Sequence, residues 1–310
     1  MGLTAVRPSW AELPTELREL VTAHLGSTVV SADVQGGGFS PGVAARLVLQ
    51  NSDRSFVKAI PAAHVLAGKY LIEAETGERL PPSVPSPRLR WHGSSAGWVV
   101  LLFDDIDGRH ADLSPGSADI PTVISALTAM ADLLTPSPLP DLQPSSATRA
   151  GLLHGWGDLA TSPPADLDWW GREHLSDLAV LEAVWPAHAD GLTLVHGDIR
   201  PDNLLVASGG AYVVDWAQPS QGAAWQDIAD LMPHLIMAGH SPVGAEKTLV
   251  GIPYWDLAPP EVITSYAAAY AGYWTRMSRQ PSPPGVPNLR AYQRRAAGAA
   301  IAWTRYRTGW

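Results

Sequence analysis

The sequence contains no cysteine. Disulfides, thiolate metal sites and a cysteine nucleophile are therefore excluded. Lysine is nearly as scarce: Lys58, Lys69 and Lys247 stand against eighteen arginines. A lysine that survives such a bias is a candidate for chemistry needing a compact charge, which a guanidinium does not replace. No apolar run reaches the length of a membrane span. The opening residues, MGLTAVRPSWAELP, lack the basic-then-apolar order of a secretory signal, and Val6 breaks the myristoylation pattern. Positive charge is also in deficit, with a net charge of −9. That argues against a non-specific nucleic-acid binder. The expectation is a cytoplasmic protein with no nucleic-acid or membrane partner.

What is present fits an ordinary globular chain: 310 residues, 46% hydrophobic and 16% charged. Residues 14–25 (PTELRELVTAHL) read as a short amphipathic helix. Three β-like runs follow, Val29–Gln35, Val43–Gln50 and Ser55–Ile60, separated by Gly36-Gly37-Gly38 and Asn51-Ser52-Asp53. Leu66–Leu80 is helical up to Pro81-Pro82, and two more strands are expected at Arg88–His92 and Trp98–Phe103. Beyond Asp104–Gly108 the pattern turns helical, roughly over 119–134, 146–159, 168–188, 223–238, 259–277 and 288–306, with a β cluster at 192–214. Two Pro-rich stretches, 135–146 and 280–287, read as connectors.

The segment LVHGDIRPDNLLV (194–206) sets an asparagine, Asn203, five residues after an aspartate, Asp198. AYVVDW (211–216) then places Asp215 at the end of an apolar strand. Phosphoryl transfer needs such groups: one carboxylate to orient a hydroxyl and accept its proton, and an amide with a second carboxylate to share Mg²⁺ with nucleotide phosphates. The segment resembles the catalytic loop of the aminoglycoside phosphotransferase and choline kinase group, with His-Gly-Asp where protein kinases carry His-Arg-Asp.

The resemblance implies an α+β, bilobal protein-kinase-like fold: a five-stranded antiparallel N-lobe with one main helix and a larger, mostly helical C-lobe. Residues 1–28 would form a helical extension, 29–103 the N-lobe, 104–108 a hinge and 109–310 the C-lobe. Asp198 would be the catalytic base, with Asn203 and Asp215 as magnesium ligands and His196 as a packed brace of the loop. Lys58, in SFVKAI, would contact the nucleotide phosphates and pair with Glu73 or Glu75 of YLIEAE, Glu73 being preferred for its place in the middle turns. The Gly-rich segment 34–47 would fold over the phosphates through Gly37, Gly38, Phe39 and Ser40. It departs from GxGxxG, because Gly38 and Gly42 are one residue too far apart and Pro41 removes a donor. The hinge from Phe103 to Asp105 would hold the base of ATP or GTP, with Leu205 as an apolar floor.

Arg200 stands two residues after Asp198, where many protein kinases carry a lysine beside the transferred phosphate. It is either a catalytic cation or a surface partner of an acid such as Asp202. Asp227, in AAWQDIADL, is either a brace of the catalytic loop or a simple helix cap. Only eleven residues separate Asp215 from Asp227, too few for a protein-kinase activation segment, and Asp-Trp-Ala replaces Asp-Phe-Gly. The expected enzyme is a small-molecule kinase, a monomer or homodimer, using ATP or GTP with Mg²⁺ on a hydroxyl acceptor. An aminoglycoside or sugar is favoured over a choline-like alcohol, homoserine or nucleoside. Ten of the thirteen tryptophans lie in the expected C-lobe, and acids at Asp227, Asp230, Glu246, Asp256 and Glu261 are candidates to meet substrate ammonium groups. The third possibility, a non-catalytic kinase-like binding module, would require a lost lysine, base or metal ligand.

Overall fold

The computed structural model describes residues 5–310. Its N-lobe is built on a mixed-coverage sheet of five antiparallel strands, β1 (Val29–Val34), β2 (Val43–Leu49), β3 (Arg54–Pro61), β4 (Leu89–Ser95) and β5 (Trp98–Asp104). Their spatial order is β1-β2-β3-β5-β4. Alternation along β5 explains why WVVLLFD is almost continuously apolar. Val100 and Leu102 face one side, where α1 (Thr15–Leu25) contributes Leu17 and Val21, four residues apart on one helix face. Val99, Leu101 and Phe103 face the other, where α2 (Ala67–Arg79) contributes Tyr70 and Ala74. The sheet is thus covered on both sides. The helix preceding the first strand packs as a layer of the N-lobe.

The segment 105–108, which follows β5, is anchored by arginines from the sheet. Arg54 Nε lies 2.7 Å and Arg46 Nε 3.3 Å from the Asp105 carboxylate. Arg46 also donates to the carbonyls of Ile106 and Gly108 at 2.8 and 2.9 Å.

The C-lobe contains α3 (Asp119–Leu133), α4 (Ser145–Thr148), α5 (Gly155–Thr161), α6 (Trp169–Glu173), α7 (Leu175–Glu182), α8 (Trp225–Met237), α9 (Pro242–Leu249), α10 (Pro253–Leu257), α11 (Pro260–Met277) and α12 (Leu289–Thr308). Short strands β6 (Arg109–His110), β7 (Thr193–Val195), β8 (Leu204–Ala207), β9 (Gly210–Val213) and β10 (Ser220–Gly222) carry the loops of the site. Two expected helices are broken. The stretch 146–159 divides into α4 and α5, and 168–188 into α6, α7 and a 3₁₀ turn at Trp185–His188. The first break lets α5 cross α11 closely: a side chain at Gly155 would lie 2.1 Å from the backbone of Gly272. Helices α9 and α10 and strands β6 and β10 were not expected, being too short to show a period of their own.

A buried polar cluster ties three helical segments together beneath the catalytic loop. Arg149 Nη2 donates to both oxygens of Asp230 at 2.8 and 3.0 Å and to Tyr270 Oη at 3.0 Å. Tyr266 and Tyr270, one turn apart on α11, both donate to Asp230 Oδ1, at 2.6 and 2.7 Å. Seven of the C-lobe tryptophans are core: Trp156, Trp170, Trp185, Trp216, Trp225, Trp255 and Trp303. The basic C-terminal helix α12 buries Ala296, Ala300 and Trp303 against the lobe.

Candidate active site

The catalytic loop spans the turn from β7 to β8. His196 is fully buried, and its ring holds the loop from inside. The Asp198 N–H donates to His196 Nδ1 at 3.2 Å, so Nε2 carries the proton and donates to Val214 O at 3.0 Å. Asp227, in the first turn of α8, accepts from the N–H groups of His196 and Gly197 at 2.8 and 2.9 Å. It braces the loop and does not cap its own helix. Gly197 has φ +77°, and a Cβ there would lie 2.7 Å from Gln218 O. Only glycine meets both conditions without strain.

Asn203 is buried and turns its amide nitrogen toward Asp198, donating to the Asp198 carbonyl at 2.9 Å and to Oδ2 at 3.2 Å. Its amide oxygen is left for another ligand. Asp215 adopts φ +71°, a left-handed conformation that aspartate tolerates better than most residues. Both side chains line one cleft. Among the described residues no group of three or more His, Cys, Asp or Glu forms a metal cage. An amide oxygen plus one carboxylate fits Mg²⁺, which takes its remaining ligands from phosphates and water.

On the opposite wall, Lys58 of β3 reaches across to two carboxylates. Its Nζ lies 2.5 Å from Glu73 Oε2 and 2.8 Å from Asp215 Oδ1. Glu75 faces outward and is exposed. Burial alone would lower the Lys58 pKa, but Asp215 and Glu73 outweigh it and hold the ammonium charged. Burial likewise works against the Asp215 carboxylate, yet Lys58 and Arg200 keep it below the usual range. Glu73 shares the same ammonium and is pushed upward by burial.

Arg200 is not a surface residue: its side chain is 11% exposed. Nε lies 3.4 Å from Asp198 Oδ2, and the guanidinium stands 4.9 Å from the centre of the Phe39 ring. Asp202 is engaged elsewhere, accepting the Gly38 N–H at 3.2 Å. Burial would lower Arg200, but Asp198 raises it above its ordinary value. The Gly-rich loop is therefore docked on the C-lobe. Phe39 packs 4.9 Å from Tyr292 of α12, while on the N-lobe side Ser40 Oγ shares a 2.8 Å hydrogen bond with Tyr70 Oη of α2.

Gly37, Gly38, Phe39, Ser40, Phe103, Asp105 and Leu205 all line the cleft, which has a volume of about 280 Å³. Arg7 and His110 line it too. Sequence reasoning missed both, since neither lies in a recognisable pattern. Near Asp198 lies a half-buried aromatic group. Burial and then Asp198 push Tyr273 up to about 12. Trp274 and Tyr292 meet edge to face at 5.9 Å. Burial and then Arg200 hold His234, also close by, down at about 4, so it is neutral. Three of the five acids expected to meet ammonium groups are consumed internally: Asp227 by the loop, Asp230 by Arg149, and Glu246 by Arg307 at 2.5 Å. Asp256 and Glu261 are exposed at the starts of α10 and α11.

These features are those of a kinase-like phosphotransferase. The model of the phosphotransferase enzyme family matches residues 38–279, and the chain belongs to that family of small-molecule phosphotransferases. Solved structures share the fold at low identity. A choline/ethanolamine kinase family protein from Mesorhizobium loti is 14% identical with a TM-score of 0.64, over 94% of this chain and 97% of that one. An aminoglycoside phosphotransferase from Alicyclobacillus acidocaldarius is 10% identical with a TM-score of 0.57, over 91% and 92%. An amicoumacin kinase, solved with AMP-PNP, Ca²⁺ and Ami, is 11% identical with a TM-score of 0.55, over 92% and 94%. No curated protein matches the sequence.

Proposed function

We propose that the protein moves the γ-phosphoryl group of ATP or GTP to a hydroxyl of a small molecule bearing a sugar-like ring, an aminoglycoside or a sugar. The observation that carries this reading is the facing of two walls across one cleft. Lys58 and Glu73 stand on one side and Asn203 and Asp215 on the other, with Asp198 behind the cleft lining, hydrogen-bonded to Asn203 at 3.2 Å. The hinge backbone from Phe103 to Asp105 and the side chain of Leu205 hold the base. Lys58 orients the phosphates. Asn203 and Asp215 would hold Mg²⁺, which when bound neutralises charge on the phosphate oxygens. Asp198 orients the acceptor hydroxyl and takes its proton. The new bond joins the acceptor oxygen to the γ-phosphorus as the bond to the bridging oxygen of the diphosphate breaks. Arg200, fixed between Asp198 and Phe39, supplies positive charge beside the base.

The acceptor reading rests on the aromatic group formed by Phe39, Tyr273, Trp274 and Tyr292, whose faces suit a ring. Trp274 Nε1 and His234 Nδ1 are buried polar atoms without a protein partner among the described residues. They suit an acceptor rich in hydroxyls. With Asp227, Asp230 and Glu246 consumed, cationic groups on the acceptor have few carboxylates to meet.

The test is product formation. Purified protein is incubated with ATP or GTP and Mg²⁺ against aminoglycosides, free sugars and amino alcohols, and products are identified by mass. A phosphorylated ring compound is expected, and none is expected from Asp198→Asn, which should still bind nucleotide within a few-fold. Failure to phosphorylate any hydroxyl compound, or a wild-type rate from Asp198→Asn, would sink the reading.

A further inference from the structure

The segment before α1 runs as a strap between the lobes. Val6 N–H donates to Gly285 O at 2.8 Å, in the connector between α11 and α12. One residue on, the Arg7 side chain enters the cleft beneath the Gly-rich loop. Its Nη2 donates to Gly37 O at 2.5 Å and its Nη1 to Gly42 O at 2.9 Å. A Cβ on Gly38 would lie 3.1 Å from Nη2, so the guanidinium and the loop are in van der Waals contact. Arg7 lines the same cleft as Lys58, Asp202 and Asp215, and it lies outside residues 38–279.

The partners of this guanidinium are all neutral. Two carbonyls hold it, Nε is buried without a partner, and no carboxylate lies within ion-pair distance among the described residues. Burial pulls its pKa below the ordinary value, and Tyr70, Asp215 and Asp202 only partly offset this. A half-buried cation without a counter-charge is costly unless an anion completes it. The loop above is meanwhile short of donors. Pro41 has no N–H, and the Gly38 N–H is spent on Asp202 at 3.2 Å.

We propose that Arg7 is a binding residue for the nucleotide triphosphate: the strap delivers a guanidinium that makes up for donors the Gly-rich loop lacks and holds that loop closed over the phosphates. The inference rests on the phosphotransferase reading of the same cleft. Arg7 then faces Lys58 across the phosphate chain. The planar fork keeps its two carbonyl bonds to the loop while Nε and the remaining N–H groups turn to anionic oxygens.

The experiment measures equilibrium binding of ATP and of adenosine, with GTP and guanosine in parallel, by calorimetry without acceptor. The proteins are wild type, Arg7→Gln, Arg7→Lys and Lys58→Ala. Arg7→Gln retains a donor for the Gly37 or Gly42 carbonyl but removes the charge, so it separates charge from scaffolding. Its triphosphate affinity should fall roughly 10- to 100-fold, the range for losing one or two charge-assisted hydrogen bonds. Its nucleoside affinity should stay within about twofold, and Arg7→Lys should recover part of the loss. Unchanged triphosphate binding in Arg7→Gln overturns the proposal. So does an equal loss for triphosphate and nucleoside, which marks a scaffolding role, or tighter triphosphate binding, which marks Arg7 as a plug. If wild type binds neither triphosphate, the phosphotransferase reading itself fails. If wild type binds one and Lys58→Ala weakens it while Arg7→Gln does not, only the role of Arg7 fails.

Discussion

Replacing Asp227 by asparagine exchanges one oxygen for an NH₂ group and leaves the shape unchanged. Both carboxylate oxygens are in use, one on the His196 N–H at 2.8 Å and one on the Gly197 N–H at 2.9 Å. The site is 6% exposed, so water cannot substitute. The amide has one oxygen to offer, and its NH₂ must face the second backbone donor. A hydrogen bond to a charged group is worth about 1.5–3 kcal/mol, and a buried donor left unsatisfied costs about 1–3 kcal/mol. The expected destabilisation is therefore about 2–4 kcal/mol, read by urea denaturation. The next residue after this pair is Asp198, so a shift of the loop moves the proposed base. Misplacement on the order of 1 Å costs about 100-fold in turnover. Nucleotide affinity should hold within a few-fold, because the cleft walls at Lys58 and Phe103 are untouched. Asp227→Asn with a stability within about 0.5 kcal/mol of wild type and a kcat within twofold would refute the brace.

Arg200→Ala should lower kcat by about ten- to a thousand-fold, roughly 1.4–4 kcal/mol, with a much smaller change in nucleotide Kd, and Arg200→Lys should recover part of it. Single-turnover kinetics checks this, and a kcat within twofold when chemistry is rate-limiting would show the arginine to be structural. His234 gives a pH dependence. Its pKa is held at about 4 against an ordinary 6.5, so the unfolded chain takes up the proton first and stability is lost as pH falls from about 6.5 toward 4. The shift corresponds to up to about 3 kcal/mol. The acid limb of wild-type stability should flatten in His234→Leu; curves that stay parallel over that range would assign the titration elsewhere.

The residues legible in the sequence are those whose partners lie at fixed spacing. Asp198 and Asn203 are five apart on one loop, and Asp215 ends the next strand, so order and distance along the chain already imply convergence. Glu73 was only partly legible: its place in the middle turns of the helix favoured it, but the choice against Glu75 depends on how α2 packs on the sheet, which buries Glu73 and leaves Glu75 exposed. Arg200 was half legible: its proximity to the base followed from spacing, but its burial under Phe39 depends on how the Gly-rich loop docks. Arg7 was not legible, because what places it is a backbone bond from Val6 to Gly285, some 280 residues away in the chain. The broken helix over 146–159 failed for a related reason. Its interruption is set by the close approach of Gly155 and Gly272, a contact between segments that no local pattern records.

The Arg149–Asp230–Tyr266–Tyr270 cluster has a bearing on how far such an enzyme can change its acceptor. Two hydroxyls one turn apart on α11 converge on a single oxygen of Asp230. Sliding α11 by one residue would translate it about 1.5 Å and rotate it about 100°, sending both hydroxyls into apolar surroundings. The cluster thus works as a registration mark, read by failure: every misaligned packing of the helix strands a buried charge. Tyr273 and Trp274 ride on the same helix just beyond it. Substitutions at those two positions would alter the proposed acceptor surface while the helix beneath keeps its alignment.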